Sequence, residues 1–484
     1  MQARQAVAII GAGASGLLTA IQLLRQGGRH GPRVYLIEKQ APFGFGAAYS
    51  TSDPCHLLNT RAGNMSGFPD EPRHFLDWLQ SHAGPKPEPA TPSCFVSRQT
   101  FGLYLRSLLR DAVTGSAAAG RLYIVPDEAV SLRPAAAGRF RIRLALGREI
   151  EADSAVLAMG NPPPHPPGVA DSGVLGSSHY IADPWSCSIP DIAPKDGTVL
   201  ILGTGLTMVD AVLSLAKEGH RGPIIALSRR GLIPRRHREA QAGEPLPPPP
   251  LTSRLTADLR AVRLHIKERI PPGRDWRDVV DALRPVTAAY WRTLPLPDKR
   301  RFLRHLRAWW DVHRHRLAPE AADRLEALLS CGALEIRRGR LTGLALTGDE
   351  SLPVSVTWTP KASNMPMQFK VSSIVNCMGP GNNPRHSPFP LIRQMLQEGL
   401  IQADALELGL AVDDKGRVIA GSGETEHLVF ALGPVTRGTF WEVTAIPDIR
   451  VKAAEVAKAV LAALRCEANA DPRPAAASLR PLAF

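Results

Sequence analysis

The chain has 484 residues, 44% of them apolar and 21% charged. It is too long for one hydrophobic core and has the composition of a globular enzyme rather than of a disordered or membrane-spanning chain. A formal charge of +13 with a pI near 9.8 points to anionic partners (dinucleotide phosphates, an acidic substrate or a nucleic acid) or to a merely basic surface. Cys55, Cys94, Cys187, Cys331, Cys377 and Cys466 have no CxxC or metal-ligand spacing, which argues against a disulfide reductase, a bound metal and a secreted scaffold.

The first apolar run, Val7-Ala8-Ile9-Ile10, is shorter than a signal-peptide core and leads straight into Gly11-Ala12-Gly13, so a cytoplasmic protein is expected. Residues 5–38 read as a βαβ unit: strand, glycine turn, helix Leu17 to Gln26, and a second strand Val34 to Ile37 ending at Glu38. Gly11-x-Gly13-x-x-Gly16 stands where a dinucleotide site needs it. Gly11 permits the tight turn, Gly13 lets backbone approach a pyrophosphate, Gly16 allows close packing, and Glu38 can accept from ribose hydroxyls. The expected ligand is FAD, with Ser15, Lys39 and Val130 as further candidate contacts.

A Pro-rich loop at 84–92 precedes an amphipathic helix from Ser97 to Asp111, a strand pair near Leu122–Val130 and Arg139–Leu146, and an apolar strand Ser154 to Gly160. From Thr198 to Leu227 the strand–glycine–helix–strand order repeats, and a doubled unit implies a doubled ligand. Gly203 and Gly205 make the turn, Leu206 and Thr207 open the helix, and Met208 takes the third glycine position. Where a ribose-binding acid would stand, the chain has Ser228-Arg229-Arg230, groups suited to a 2′-phosphate; NADPH is the expected donor, or NADH if the arginines are only a solvated loop.

Beyond the proline linker Pro245–Pro250, Leu251 to Leu329 reads as an inserted helical segment rich in arginine, histidine and tryptophan. By helical spacing Arg301, Arg304 and His305 share a face. The run is either a solvated face or the wall of a pocket in which Arg314 and Arg316 orient an anionic substrate. Strands near Leu334–Leu346, Val354–Trp358, Val371–Cys377 and Leu428–Leu432 follow, then a helix from about Pro447 to Leu464.

The sequence resembles bacterial FAD/NAD(P)-binding proteins of the YdhS type, relatives of flavin and N-hydroxylating monooxygenases. The likeness is carried, in order, by Gly11–Gly16, Gly44–Tyr49, Leu58-Asn59, Phe95–Arg98, Val156–Gly160, Asp183–Trp185, Gly203–Asp210, Trp310–Arg316, Gly433-Pro434 and Trp441–Arg450. It implies that the strands ending in Gly160 and Gly379 cross between the two domains near both cofactors, and that Gly433 and Pro434 lie at the flavin, where reductase relatives carry Gly-Asp. It also implies that the helix after Pro447 aims its N-terminal dipole at the flavin pyrimidine. Asn59, Trp441 and Glu442 are carried as flavin-proximal candidates. Gly176–His179 and Asp183 depart from the flavin-monooxygenase fingerprint in spacing, so His179 is read as structural.

The expected fold is α/β, with two Rossmann-like, three-layer ββα dinucleotide-binding domains and an inserted helical subdomain. FAD binding falls to residues 1–165 and 379–466, NAD(P) binding to 166–244 and 331–378, the helical insert to 245–330, and a disordered tail to 467–484. The expected activity is hydride transfer from NADPH to FAD, then to oxygen or an organic acceptor, as in an N- or C-hydroxylating monooxygenase acting on a small molecule. The rival reading is a flavin-containing sensor whose basic insert contacts nucleic acid.

Overall fold

The computed structural model describes residues 4–40, 43–82, 84, 86–115, 120–239 and 245–470, with 468–470 described by backbone alone. Residue 85 of the proline loop, residues 240–244 before the linker and residues 471–484 of the expected tail lie outside the described residues.

The strands in chain order are β1 (Ala6–Ile10), β2 (Arg33–Glu38), β3 (Leu122–Pro126), β4 (Ala129–Pro134), β5 (Phe140–Leu144), β6 (Glu149–Ala152), β7 (Ser154–Leu157) and β8 (Tyr180–Ile181). They continue as β9 (Val199–Leu202), β10 (Ile224–Ser228), β11 (Leu334–Leu346), β12 (Val354–Pro360), β13 (Met367–Val371), β14 (Ser373–Asn376), β15 (Arg417–Ile419) and β16 (Thr425–Ala431). One sheet runs β15-β16-β7-β1-β2-β3, a second β13-β12-β11-β10-β9-β14-β8, and β4-β5-β6 form a small antiparallel layer. The central pairings of both large sheets are parallel. Parallel strands are covered on both faces, which is why β1 and β9 read as unbroken apolar runs and are buried throughout.

Helix Ala14–Gly27 follows β1 and packs along the C-terminal helix Ile446–Ala470. Helix Leu206–Lys217 follows β9. Two expected strands divide. Leu122–Val130 breaks at Asp127, because Pro126 has no N–H for the ladder and the Asp127 carboxylate takes the Glu128 and Leu146 N–H groups instead. Val371–Cys377 breaks at Ser372, whose N–H turns to the Thr198 carbonyl at 2.9 Å; β13 thereby stays with its antiparallel partner while β14 joins β9.

The insert comprises helices Leu255–Glu268, Trp276–Thr293, Leu296–Arg301 and Arg307–Arg314, the last two joined by a π-helical turn, Phe302–Leu306. The wider turn breaks the regular spacing on which a shared face for Arg301, Arg304 and His305 depended. The following helix, Pro319–Ser330, leaves the insert and packs on Leu206–Lys217 within the core of the second sheet. The last helix runs to Ala470, so residues 467–470 of the expected tail are helical.

Candidate functional site

The two glycine turns are copies of one another in space. Gly11 has φ +102° and Gly203 φ +105°, and a Cβ on either would stand 2.3 Å from a carbonyl oxygen, that of Ala158 or of Cys377. Each N–H is held at 2.9 Å by the next strand, Gly11 by the Ile37 carbonyl and Gly203 by the Leu227 carbonyl. Only glycine tolerates that φ and that approach together. The correspondence extends outward: Ala158-Met159-Gly160 and Cys377-Met378-Gly379 follow β7 and β14, and both glycines turn left-handed, Gly160 at φ +69° and Gly379 at φ +90°.

Above each turn is the space a pyrophosphate needs. A Cβ on Gly205 meets nothing within 4 Å, and one on Gly13 meets only the Gly46 backbone, nearest at 3.4 Å. Both residues cap helices without a side-chain bond, so the first helical N–H groups, those of Ser15 and Gly16 or of Leu206 and Thr207, have no intrahelical partner. The residues present thus fit two phosphate-bearing groups. The third positions differ: a Cβ on Gly16 would lie 1.8 Å from the Gly11 carbonyl, whereas Met208 is wholly buried in the second core.

At the first turn, Glu38 accepts from the Ala12 N–H at 3.0 Å and the Gln40 N–H at 3.1 Å, which fixes its carboxylate at the end of β2. Gly433, at φ +82°, lies against Ser15, whose Oγ a Cβ would meet at 2.5 Å, and Pro434 is buried behind it. Val130 is half-buried in the small sheet. Lys39 is exposed and ion-paired with Glu128 at 3.0 Å.

At the second turn, Ser228 is bound into the loop: its Oγ meets the Thr204 Oγ1 at 2.9 Å and accepts from the Gly231 N–H at 3.0 Å. The paired arginines expected there have separate duties. Arg230 donates to the carbonyls of His305 and Arg304 in the π-helical turn, at 2.9 and 3.1 Å. Arg229 is exposed and, among the described residues, makes no hydrogen bond or ion pair. Arg338, opposite Ser228 in the β10–β11 register and also exposed, joins it.

Candidates from three parts of the chain line one small cavity. Leu58-Asn59 of the first unit, Leu206 at the second helix and Arg316 after the insert all line it. So do Arg98 and Asp210, ion-paired at 2.9 Å; burial nevertheless raises the Asp210 carboxyl above its usual range. The Asn59 carbonyl meets the His237 Nε2 at 3.1 Å, and burial, with Arg316 and Arg61 adjacent, drives that imidazole down to about 3.

Three expected side-chain roles are occupied otherwise. Arg316 is buried, ion-paired with Asp281 and near the Trp276 ring. Trp441 is a packing anchor for the insert: it stacks on Trp291 with centroids 4.7 Å apart and shares a core with Leu255 and Leu294. Glu442 is buried between Arg314 Nε at 3.2 Å and the Trp310 indole N–H at 2.9 Å. Sequence reading passed over Thr204, His237, Arg338 and Arg437. Two had an adjacent signal, Thr204 inside the Gly203–Gly205 turn and Arg437 three residues after Pro434; Arg338 is brought in by strand pairing and His237 by a loop distant in sequence.

Residues 8–162 match the family described as FAD-NAD(P)-binding. No curated protein matches the chain in sequence. In structure the chain is similar to the ornithine hydroxylase from Pseudomonas aeruginosa (15% identity, 96% of this chain and 100% of that one, TM-score 0.63). It is similar too to the L-lysine 6-monooxygenase from Pseudomonas syringae (15%, 95% and 100%, 0.62) and the ornithine N-hydroxylase from Kutzneria sp. 744 (14%, 95% and 99%, 0.61). The chain therefore has the fold of the FAD/NAD(P) flavoprotein oxidoreductases, two sheets with parallel central strands, each with a glycine turn after a central strand.

Proposed function

We propose that the protein is an NADPH-dependent FAD monooxygenase acting on a small molecule. The observation that carries this reading is the duplicated turn, with open space over Gly13 and Gly205 and free N–H donors behind it. FAD, when bound, supplies the redox chemistry, accepting hydride from NADPH and passing electrons to oxygen. The chain's part is to hold and orient. Glu38 takes the adenosine ribose of FAD, Gly13, Ser15 and Gly16 its pyrophosphate, and Gly433 with Pro434 keeps the adjoining loop against that helix. Gly205, Leu206 and Thr207 take the pyrophosphate of NADPH, and Arg229 its 2′-phosphate. Asn59 lines the small cavity beside Leu206, where the two units meet.

Fold likeness to the N-hydroxylating enzymes favours oxygen over an organic acceptor, and the absence of a CxxC pair argues against disulfide reduction. Part of the insert's cationic charge is already paired: Arg301 with Asp298, Arg307 with Asp311, Arg284 with Asp448 and Arg292 with Asp414. No helix among the described residues is long and apolar enough to cross a membrane. The test is anaerobic: NADPH should bleach the visible absorbance of the purified holoprotein, and admitted oxygen should restore it. Failure of NADPH to reduce the flavin would refute the donor assignment, and a reduced protein inert to oxygen would refute the monooxygenase assignment.

A further inference from the structure

We propose that Arg437, Arg314 and Trp441 form a subsite for the carboxylate of the substrate, between the helical insert and the Gly433–Arg450 segment. The inference rests on reading the Gly433 loop as part of the FAD site, because that loop fixes where the subsite stands. Arg314 is 8% exposed. Its Nε faces Glu442 without hydrogen-bond geometry, and its Nη2, fully buried, has no partner. Arg437 is half-buried: its Nε is buried without a partner, and its guanidinium lies 4.5 Å from the Trp441 ring centroid. Both groups present donors to the same buried region.

The charges around them do not cancel. Glu442 faces Arg314, Asp448 faces Arg284 at 3.2 Å, and Asp311 faces Arg307 at 3.4 Å. His315, packed among Arg314, Arg437 and Arg284, is driven down to about 3 by burial and so adds no charge near neutral pH. Arg450 donates to the Ser66 carbonyl at 3.1 Å and has no acidic partner among the described residues. Arg437 forms no ion pair among the described residues, although Asp311 and Glu442 act on it from a distance; burial and the neighbouring Arg307 pull it down to about 10. A buried guanidinium N–H without a partner favours an anion that completes it, and a carboxylate suits the paired N–H groups of an arginine. Arg437 follows the Gly433 turn directly, so an acid held there lies on the insert side of the FAD cradle.

The experiment uses the FAD-loaded protein and glutarate, with neutral glutaramide as control, at constant ionic strength. Tryptophan fluorescence reports occupancy, since Trp441 touches Arg437, and Trp310 bonds the carboxylate that faces Arg314. Glutarate should give a saturable change that glutaramide does not, and Arg437→Gln should weaken it at least about tenfold, one charge-assisted hydrogen bond. Arg437→Lys, which keeps the charge and the fold but loses the paired donors, should weaken it by less. Equal responses to both probes, or wild-type affinity in both variants, would overturn the subsite. FAD content and reduction by NADPH, read on the same samples, report the flavoprotein assignment separately: glutarate binding in a protein that fails those assays supports the subsite and removes the cofactor reading.

Discussion

Arg230 donates through Nη1 to the carbonyl of His305 at 2.9 Å, across 75 positions of sequence. The acceptor sits in a π-helical turn, where an extra residue leaves carbonyls without their regular partners. The end of β10, expected to read a cofactor phosphate, is therefore also the point at which the helical insert is fastened to the second sheet.

The two adjacent arginines should separate on mutation. Arg229→Ala should weaken NADPH binding about tenfold while leaving NADH unchanged, because an exposed charge-assisted contact is worth the low end of its usual range. Arg230→Ala should mainly loosen the insert and raise its susceptibility to protease. Dissociation constants for both nucleotides, with limited proteolysis, decide the matter; equal loss of NADPH affinity in both variants would show that Arg230 also reads the phosphate.

Gly13→Val and Gly205→Val should act on different ligands. The first fills the space over the first turn and should yield colourless, folded protein. The second should keep FAD but lose NADPH-driven reduction, since no side chain within 4 Å gives way to admit both valine and phosphate. Gly16→Ala should fail more severely than either, its Cβ meeting a carbonyl at 1.8 Å. Full flavin occupancy in folded Gly13→Val protein would be incompatible with the assigned site.

Stability should fall on mild acidification. His237 and His315 each drop to about 3 by burial among arginines, against about 6.5 in an unfolded chain. A folded-state value below the unfolded one means that the unfolded chain binds the proton more readily. The stability is complete above pH 6.5 and declines toward pH 3, by at most about 1.4 kcal/mol per pH unit per histidine. Urea midpoints at pH 7.5 and 5.5 should differ, and His315→Gln should reduce the difference; a wild-type midpoint that does not move would contradict the burial argument.

Removing Glu442 alone should cost more than removing it with its partner. Glu442→Leu strands the buried Arg314 and should destabilise the fold by about 3–5 kcal/mol, whereas adding Arg314→Met should recover much of that loss. Strict additivity in denaturant titrations would mean that the two groups do not interact.

Local sequence determined the two turns, because the demand there is local: a positive φ, a carbonyl packed against Cα and a helix opening within six residues leave glycine at Gly11 and Gly203. The buried strands were equally legible, since a parallel strand covered on both faces must be apolar throughout. Roles set by partners remote in the chain could not be read that way. Spacing made Arg230 and Arg316 look like free cations, but His305 reaches Arg230 only when the insert docks, and Asp281 reaches Arg316 only when the insert folds. That Trp441 stacks on Trp291, 150 positions earlier, was likewise not written in its neighbours. A side chain's charge is written in the sequence, whereas whether that charge is already satisfied depends on which distant group the tertiary structure puts within hydrogen-bond reach.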